Sequence, residues 1–251
     1  MITFATQVRT TMYKSCTAIV LRVTKYNDKS NIVDLYTDAG RISIAVKTGG
    51  SRIKSSMRML FRPLSILRIE MAIRPHSAIH TIREATTAIP LSDLPYNPYK
   101  QATAFFLAEF LSRVTDGGSE DRLMFDYIVQ SIMWFDNCSK GYANFHLVFL
   151  LRISQLLGLK PDTGEYRKGM VFDMRNAVFT SSLPSHGDYL TPDETTALRQ
   201  LMRMNYDNMW LFRMNREQRN DCLDAILRYY SLHITDMSHL KSIEVLKELF
   251  D

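Results

Sequence analysis

Eight cationic side chains (Arg41, Lys47, Arg52, Lys54, Arg58, Arg62, Arg68 and Arg74) fall within a stretch that contains one acid, Glu70. Guanidinium and ammonium groups at that density are suited to holding phosphate oxygens without making or breaking bonds. A charge run is most often a solvated face, so what matters is the structure beneath it. Here the run lies within a series of strand-like segments, which turns it into a candidate phosphate-binding face on a small β domain. Tyr26, Tyr36 and Phe61 are the aromatic residues near enough in sequence to offer stacking surfaces for bases, or equally to fill a core. The bias is local. Residues 1–90 hold fourteen Arg or Lys and five Asp or Glu, a net +9, while the whole chain is at +5, so residues 91–251 stand at −4. A basic head on a mildly acidic body favours a polyanionic partner, nucleic acid before an anionic membrane surface.

Bond-making chemistry finds less support. Lys47–Ser55 (KTGGSRIKS) fails as a phosphate-cradling loop, because Ile53 rather than glycine precedes Lys54. His76 and His80 lack the carboxylates or thiols that would complete a metal site, and His146, in an apolar helical stretch, reads as a hydrogen-bonded core histidine. Cys16, Cys138 and Cys222 are odd in number and scattered, so they form neither a disulfide framework nor a four-thiolate zinc site and read as reduced, buried thiols. No nucleophile elbow, paired zinc-binding histidines or dinucleotide-binding glycine pattern is present. The acids of the head, Asp34, Asp38, Glu70 and Glu84, look structural. An enzyme acting on nucleic acid would need at least three of them to converge.

These residues need a scaffold. The length of 251 residues, with 46% hydrophobic and 23% charged content, suggests two domains. The longest apolar run, Leu147–Leu151, is far too short to span a membrane, and the expectation is a cytoplasmic protein with no membrane partner. Alternation of apolar and polar residues predicts strands over 17–26, 31–37, 41–47, 64–71 and 79–89, with turns at Asn27-Asp28 and at Asp38-Ala39-Gly40. Five short antiparallel strands fit an OB-fold barrel, with an SH3-like barrel as the alternative. After Pro90 the period becomes helical. Asn97-Pro98 opens a first helix, a second stripe runs over 123–135, and 145–157 is apolar on nearly every side, with Gly158 and Pro161 ending it. A hairpin is predicted from 170–173 and 177–180. Thr191-Pro192-Asp193-Glu194 signals a further helix start, Leu223, Leu227, Tyr230 and Ile234 mark a long helix, and Ile243, Leu246 and Leu249 a short closing one.

The chain resembles a known family, the bacterial DNA repair protein RecO. The resemblance is carried by Ala18-Ile19-Val20-Leu21, Tyr26, Ser30, Leu35-Tyr36-Thr37, Gly40, Val46-Lys47, Gly49, Lys54-Ser55 and Phe61-Arg62-Pro63-Leu64. It resumes at the proline-punctuated entry to the first helix, at Tyr229-Tyr230-Ser231-Leu232-His233, and at Leu240-Lys241-Ser242-Ile243 with Val245-Leu246. It implies an α+β protein: an extension over 1–11, a five-stranded OB-fold DNA-binding domain over 12–90, and an all-α helical domain over 91–251 with a small β-hairpin insertion at about 160–190. The implied activity is that of a nucleoid-associated recombination mediator. Such a protein binds single- and double-stranded DNA, anneals complementary strands without nucleotide hydrolysis, and works with RecR to help RecA load on DNA covered by single-strand-binding protein. RecF and RecA would be reached indirectly. Many relatives carry a four-cysteine zinc module where residues 160–190 lie here, and this stretch has no Cys, so no metal or other cofactor is expected. The resemblance also implies a site on the helical domain for the acidic, apolar tail of single-strand-binding protein, with Arg113, Arg122 and Arg152 as candidates. If that contact dominated, the protein would be an adaptor with little DNA binding of its own.

Overall fold

The computed structural model describes residues 12–47, 59–73, 77–117, 120–160 and 166–249. Apart from residues 117–120, the chain divides after Pro90 into two compact units.

The first unit is a closed barrel with strand order β1-β2-β3-β5-β4, formed by β1 (Met12–Asn27), β2 (Ser30–Thr37), β3 (Gly40–Lys47), β4 (Ile66–Ile73) and β5 (Ile79–Ile89). β3 and β5 run parallel and close the wall, while β1 pairs antiparallel with both β2 and β4. This is the OB-fold arrangement, and it excludes the SH3-like alternative. One strand serves two neighbours because it is sixteen residues long and bent. Its pairing with β4 covers Met12–Ile19, its pairing with β2 covers Ala18–Asn27, and the register with β2 shifts between Val20 and Arg22. A bulge there turns the strand through the barrel corner.

Ala18, Val20, Val33, Leu35, Ile44, Val46, Leu67, Ile69 and Met71 fill the interior together with Phe61. Side chains alternate across a strand, so Arg41, Ser43, Ala45 and Lys47 on β3, and Asp34 on β2, face outward. At the β1–β2 turn the Asn27 carboxamide oxygen accepts from the Lys29 N–H and the Ser30 hydroxyl. At the next turn Gly40 adopts φ 96°, a conformation for which glycine is suited. The expected fourth strand begins two residues late. Leu64 has φ 63°, and its N–H donates to the Val20 carbonyl rather than to a ladder, so Leu64 belongs to the turn.

The second unit contains α1 (Pro98–Val114), α2 (Arg122–Asn137), α3 (Phe145–Leu156), α4 (Pro192–Met202), α5 (Arg216–His233) and α6 (Ile243–Lys247), with β6 (Val171–Asp173), β7 (Val178–Thr180) and β8 (Tyr189–Leu190) forming a small sheet. The predicted caps are in place. The Asn97 side chain accepts from the N–H groups of Tyr99 and Lys100, and Thr191 forms a reciprocal box with Glu194. The central helix α3 packs on α2, α4 and α5, and the Tyr230 hydroxyl of α5 donates to the Leu150 carbonyl at 2.7 Å.

A buried ammonium fastens the segment before α1. Lys100, fully enclosed, donates to the Asp136 and Cys138 carbonyls at 2.8 and 2.7 Å and pairs with Asp93 at 2.8 Å. The Asp136 carboxylate accepts from the backbone N–H groups of Ser92, Asp93 and Leu94. Desolvation would raise its pKa, but these bonds more than offset it and hold the group below the usual carboxylate range.

Two expectations change. Only Cys222 of the three free thiols is buried, Cys16 and Cys138 being half-exposed. His146 is enclosed as expected, but its Nδ1 makes no hydrogen bond. Pro161 lies outside the described residues.

Candidate nucleic-acid interface

The outer wall of β1, β2 and β3 holds the densest described arrangement of cations on the barrel. At its centre sits Asp34, only 6% exposed. One carboxylate oxygen meets two guanidiniums, Arg22 at 3.1 Å and Arg41 at 3.3 Å, and the other accepts from the Ser43 hydroxyl at 2.6 Å. Strand register brings these groups together, since Asp34 pairs with Arg22 on one side and with Ser43 on the other. Two positive groups on one negative group leave a net positive charge, and the shared carboxylate fixes where it lies. Arg41 is mostly covered by this pairing, whereas Arg22 remains largely exposed.

Farther along the wall, Ser30 pairs with Asn27 of β1 and with Lys47 of β3, so the end of β3 lies beside the β1–β2 turn. That corner carries exposed Lys25, Lys29 and Lys47, with Lys25 paired to Asp28 at 2.9 Å. It also carries Tyr26, 68% exposed. The other two candidate aromatics, Tyr36 and Phe61, are buried at 2% and 6%.

The predicted cations therefore separate. Arg41 and Lys47 share the β1–β2–β3 wall. Arg68 is exposed on β4, opposite Thr17 and Thr86, on a stretch that also bears Glu70 and Glu84, which are cross-strand partners. Arg83 there binds Glu70 at 2.6 Å and lies 4.8 Å from the Tyr13 ring centre, so the two acids balance the two cations. Arg62 is half-buried in the turn before β4. Arg52, Lys54, Arg58 and Arg74, and with them His76, lie outside the described residues. Arg22 is a functional candidate that lies outside the 41–74 charge run. Its signal was present in the alternation of β1 but was obscured by the run Ala18–Leu21, where every residue is apolar.

The acids of the head do not assemble into a catalytic cluster. Asp34 is engaged by two arginines and Glu70 by Arg83, and among the described residues no group of three His, Cys, Asp or Glu is placed to hold a metal ion. His80 lies half-buried on β5.

On the helical unit, Arg113 is half-buried at the end of α1, Arg122 pairs with Asp126 through two contacts of 2.9 and 3.1 Å, and Arg152 donates to Gln155 at 2.8 Å. An open groove of ≈ 610 Å³ runs beside α2, lined by Tyr127, Met133, Trp134, Cys138 and Tyr206 among others. The Trp134 and Tyr206 rings stack at 4.9 Å, and the Tyr206 hydroxyl lies 2.6 Å from that of Tyr127. Burial and the neighbouring phenol push Tyr206 far above its ordinary pKa, so it stays neutral. Among the described residues no helix is long and apolar enough to cross a membrane.

Comparison with known proteins agrees with this architecture at both units. The family described as Recombination protein O N terminal matches residues 12–90, the whole barrel, and Recombination protein O C terminal matches residues 96–243. Relatives named DNA repair protein RecO include that of Bacteroides fragilis, 48% identical over 242 residues (96% of this chain and 100% of the relative). That of Phocaeicola vulgatus is 48% identical over 240 residues (95% and 100%), and that of Flavobacterium johnsoniae 30% over 235 (93% and 97%). With both units matched and the relatives covered nearly end to end, the chain belongs to the RecO family of DNA repair proteins.

Proposed function

We propose that this chain is a recombination mediator that binds single- and double-stranded DNA on its barrel, anneals complementary strands, and with RecR assists RecA loading. The observation that carries the reading is the β1–β2–β3 wall, where Arg22 and Arg41 share a single carboxylate and Lys47 faces outward farther along β3. Cations on a rigid sheet lower the repulsion between two phosphate backbones, so complementary bases can meet and pair without nucleotide hydrolysis. No step requires a nucleophile, a general base or a metal.

The test is annealing of complementary oligonucleotides by the purified protein in EDTA and without ATP. Acceleration over the spontaneous rate supports the mediator. An absence of acceleration at low salt, or a strict requirement for divalent metal or ATP, overturns it.

The α2 groove favours a second reading, an adaptor whose main ligand is the acidic, apolar tail of single-strand-binding protein. Stacked aromatics lining a groove can seat an apolar residue, while Arg122 and Arg152 already have polar partners on their own helices. Retention of single-strand-binding protein without any retention of free DNA would favour the adaptor.

A further inference from the structure

We infer that the β1–β2 corner of the barrel is a nucleobase-stacking site for single-stranded DNA, with Tyr26 as the platform; the inference rests on the proposed binding of DNA to this wall. Tyrosine is amphipathic and usually covered at least in part, yet this ring is 68% exposed while the other two candidates are core residues. It occurs where the register of β1 against β2 shifts between Lys25 and Asn27. Bulges of this kind re-aim a side chain and are concentrated at barrel rims and functional sites.

The surroundings select the occupant. Lys29 and Lys47 flank the corner from the turn and from β3, and the Arg22–Asp34–Arg41 cluster lies inward along the same wall. Arg22 and Tyr26 are four residues apart, roughly 13 Å along an extended strand. Counting Arg22, Lys25, Lys29, Arg41 and Lys47 against Asp28 and Asp34, the wall has a net charge of +3. An exposed aromatic set among cations is an arrangement by which proteins hold single strands, the ring taking a base and the cations the phosphates. Duplex DNA keeps its bases stacked on one another and offers this ring nothing comparable.

The experiment compares full-length wild type, Tyr26→Ala, Tyr26→Phe and Arg22→Ala by fluorescence anisotropy. The three ligands are a labelled oligo-dT, an abasic deoxyribose-phosphate oligomer of equal length, and a duplex. Tyr26→Ala should weaken oligo-dT binding by about fivefold or more, leave abasic and duplex affinities unchanged, and keep the salt slope of wild type. Tyr26→Phe should bind as wild type does. Arg22→Ala should weaken both single-stranded ligands and make the salt slope shallower by about 0.7. Tyr26→Ala binding oligo-dT as tightly as wild type, or losing all three ligands equally, overturns the platform while leaving DNA binding intact. Wild type binding none of the three at low salt overturns the DNA-binding reading itself.

Discussion

At the scale of single residues, burial and pairing decide what each titratable group can do. His146 is enclosed in α3, and burial, with Arg219 nearby, pulls its pKa from 6.5 down to about 3. The folded state therefore keeps this imidazole neutral while the unfolded chain protonates it below pH 6.5. Stability is fully present above that pH and is lost as pH falls toward 3. Urea unfolding should show about 2 kcal/mol less stability at pH 5 than at pH 7, a loss that His146→Phe removes. Equal pH dependence of the two proteins would refute the assignment. The same scale marks the limit of reading the site from sequence. The cation density was legible, and so were Tyr26, Tyr36 and Phe61 as candidate aromatics. The pairing of Arg22 with Asp34 was not, because they lie twelve positions apart and meet only through a register that skips Leu21.

At the scale of elements, capping chemistry was the most legible feature. Asn97-Pro98 and Thr191–Glu194 start helices where the side chains predict they should. The box of Asn215 with Gln218 at the start of α5 uses the same logic, amide for hydroxyl, and was visible in principle. β8 was beyond reach, since two residues cannot display a period. The first half of β1 shows no clear alternation, because Lys14 occupies the inward parity that Cys16 and Ala18 continue. Lys100 shows how one polar side chain can fasten an element. Its ammonium satisfies two carbonyls at the end of α2, so Lys100→Met fills the space but leaves both without a donor. The expected cost is roughly 3 kcal/mol by chemical denaturation, and a change below about 0.5 kcal/mol would mean the carbonyls find other partners.

At the scale of the whole molecule, a net charge of +5 divides into a basic head and a mildly acidic remainder, and the head should set the ionic response of DNA binding. If about five phosphate contacts form, the logarithm of affinity should fall with the logarithm of salt at a slope near −3.5 on single strands. Replacing Lys47, Arg52, Lys54 and Arg58 together by Ala should flatten the slope and weaken binding across sequences, with the circular dichroism spectrum unchanged. A slope near zero for wild type would exclude a phosphate-driven mode. The long first strand also constrains the order in which the barrel can assemble during synthesis. Its second half finds β2 almost at once across a two-residue turn, but its first half must wait until β4 has left the ribosome. Until then Met12–Ile19 is an open edge able to recruit a neighbouring nascent chain. Pulse-labelled hydrogen exchange during refolding should protect the β1–β2 hairpin amides before those shared by β1 and β4, making closure of that seam the slow step at which a crowded cell would lose molecules to aggregation.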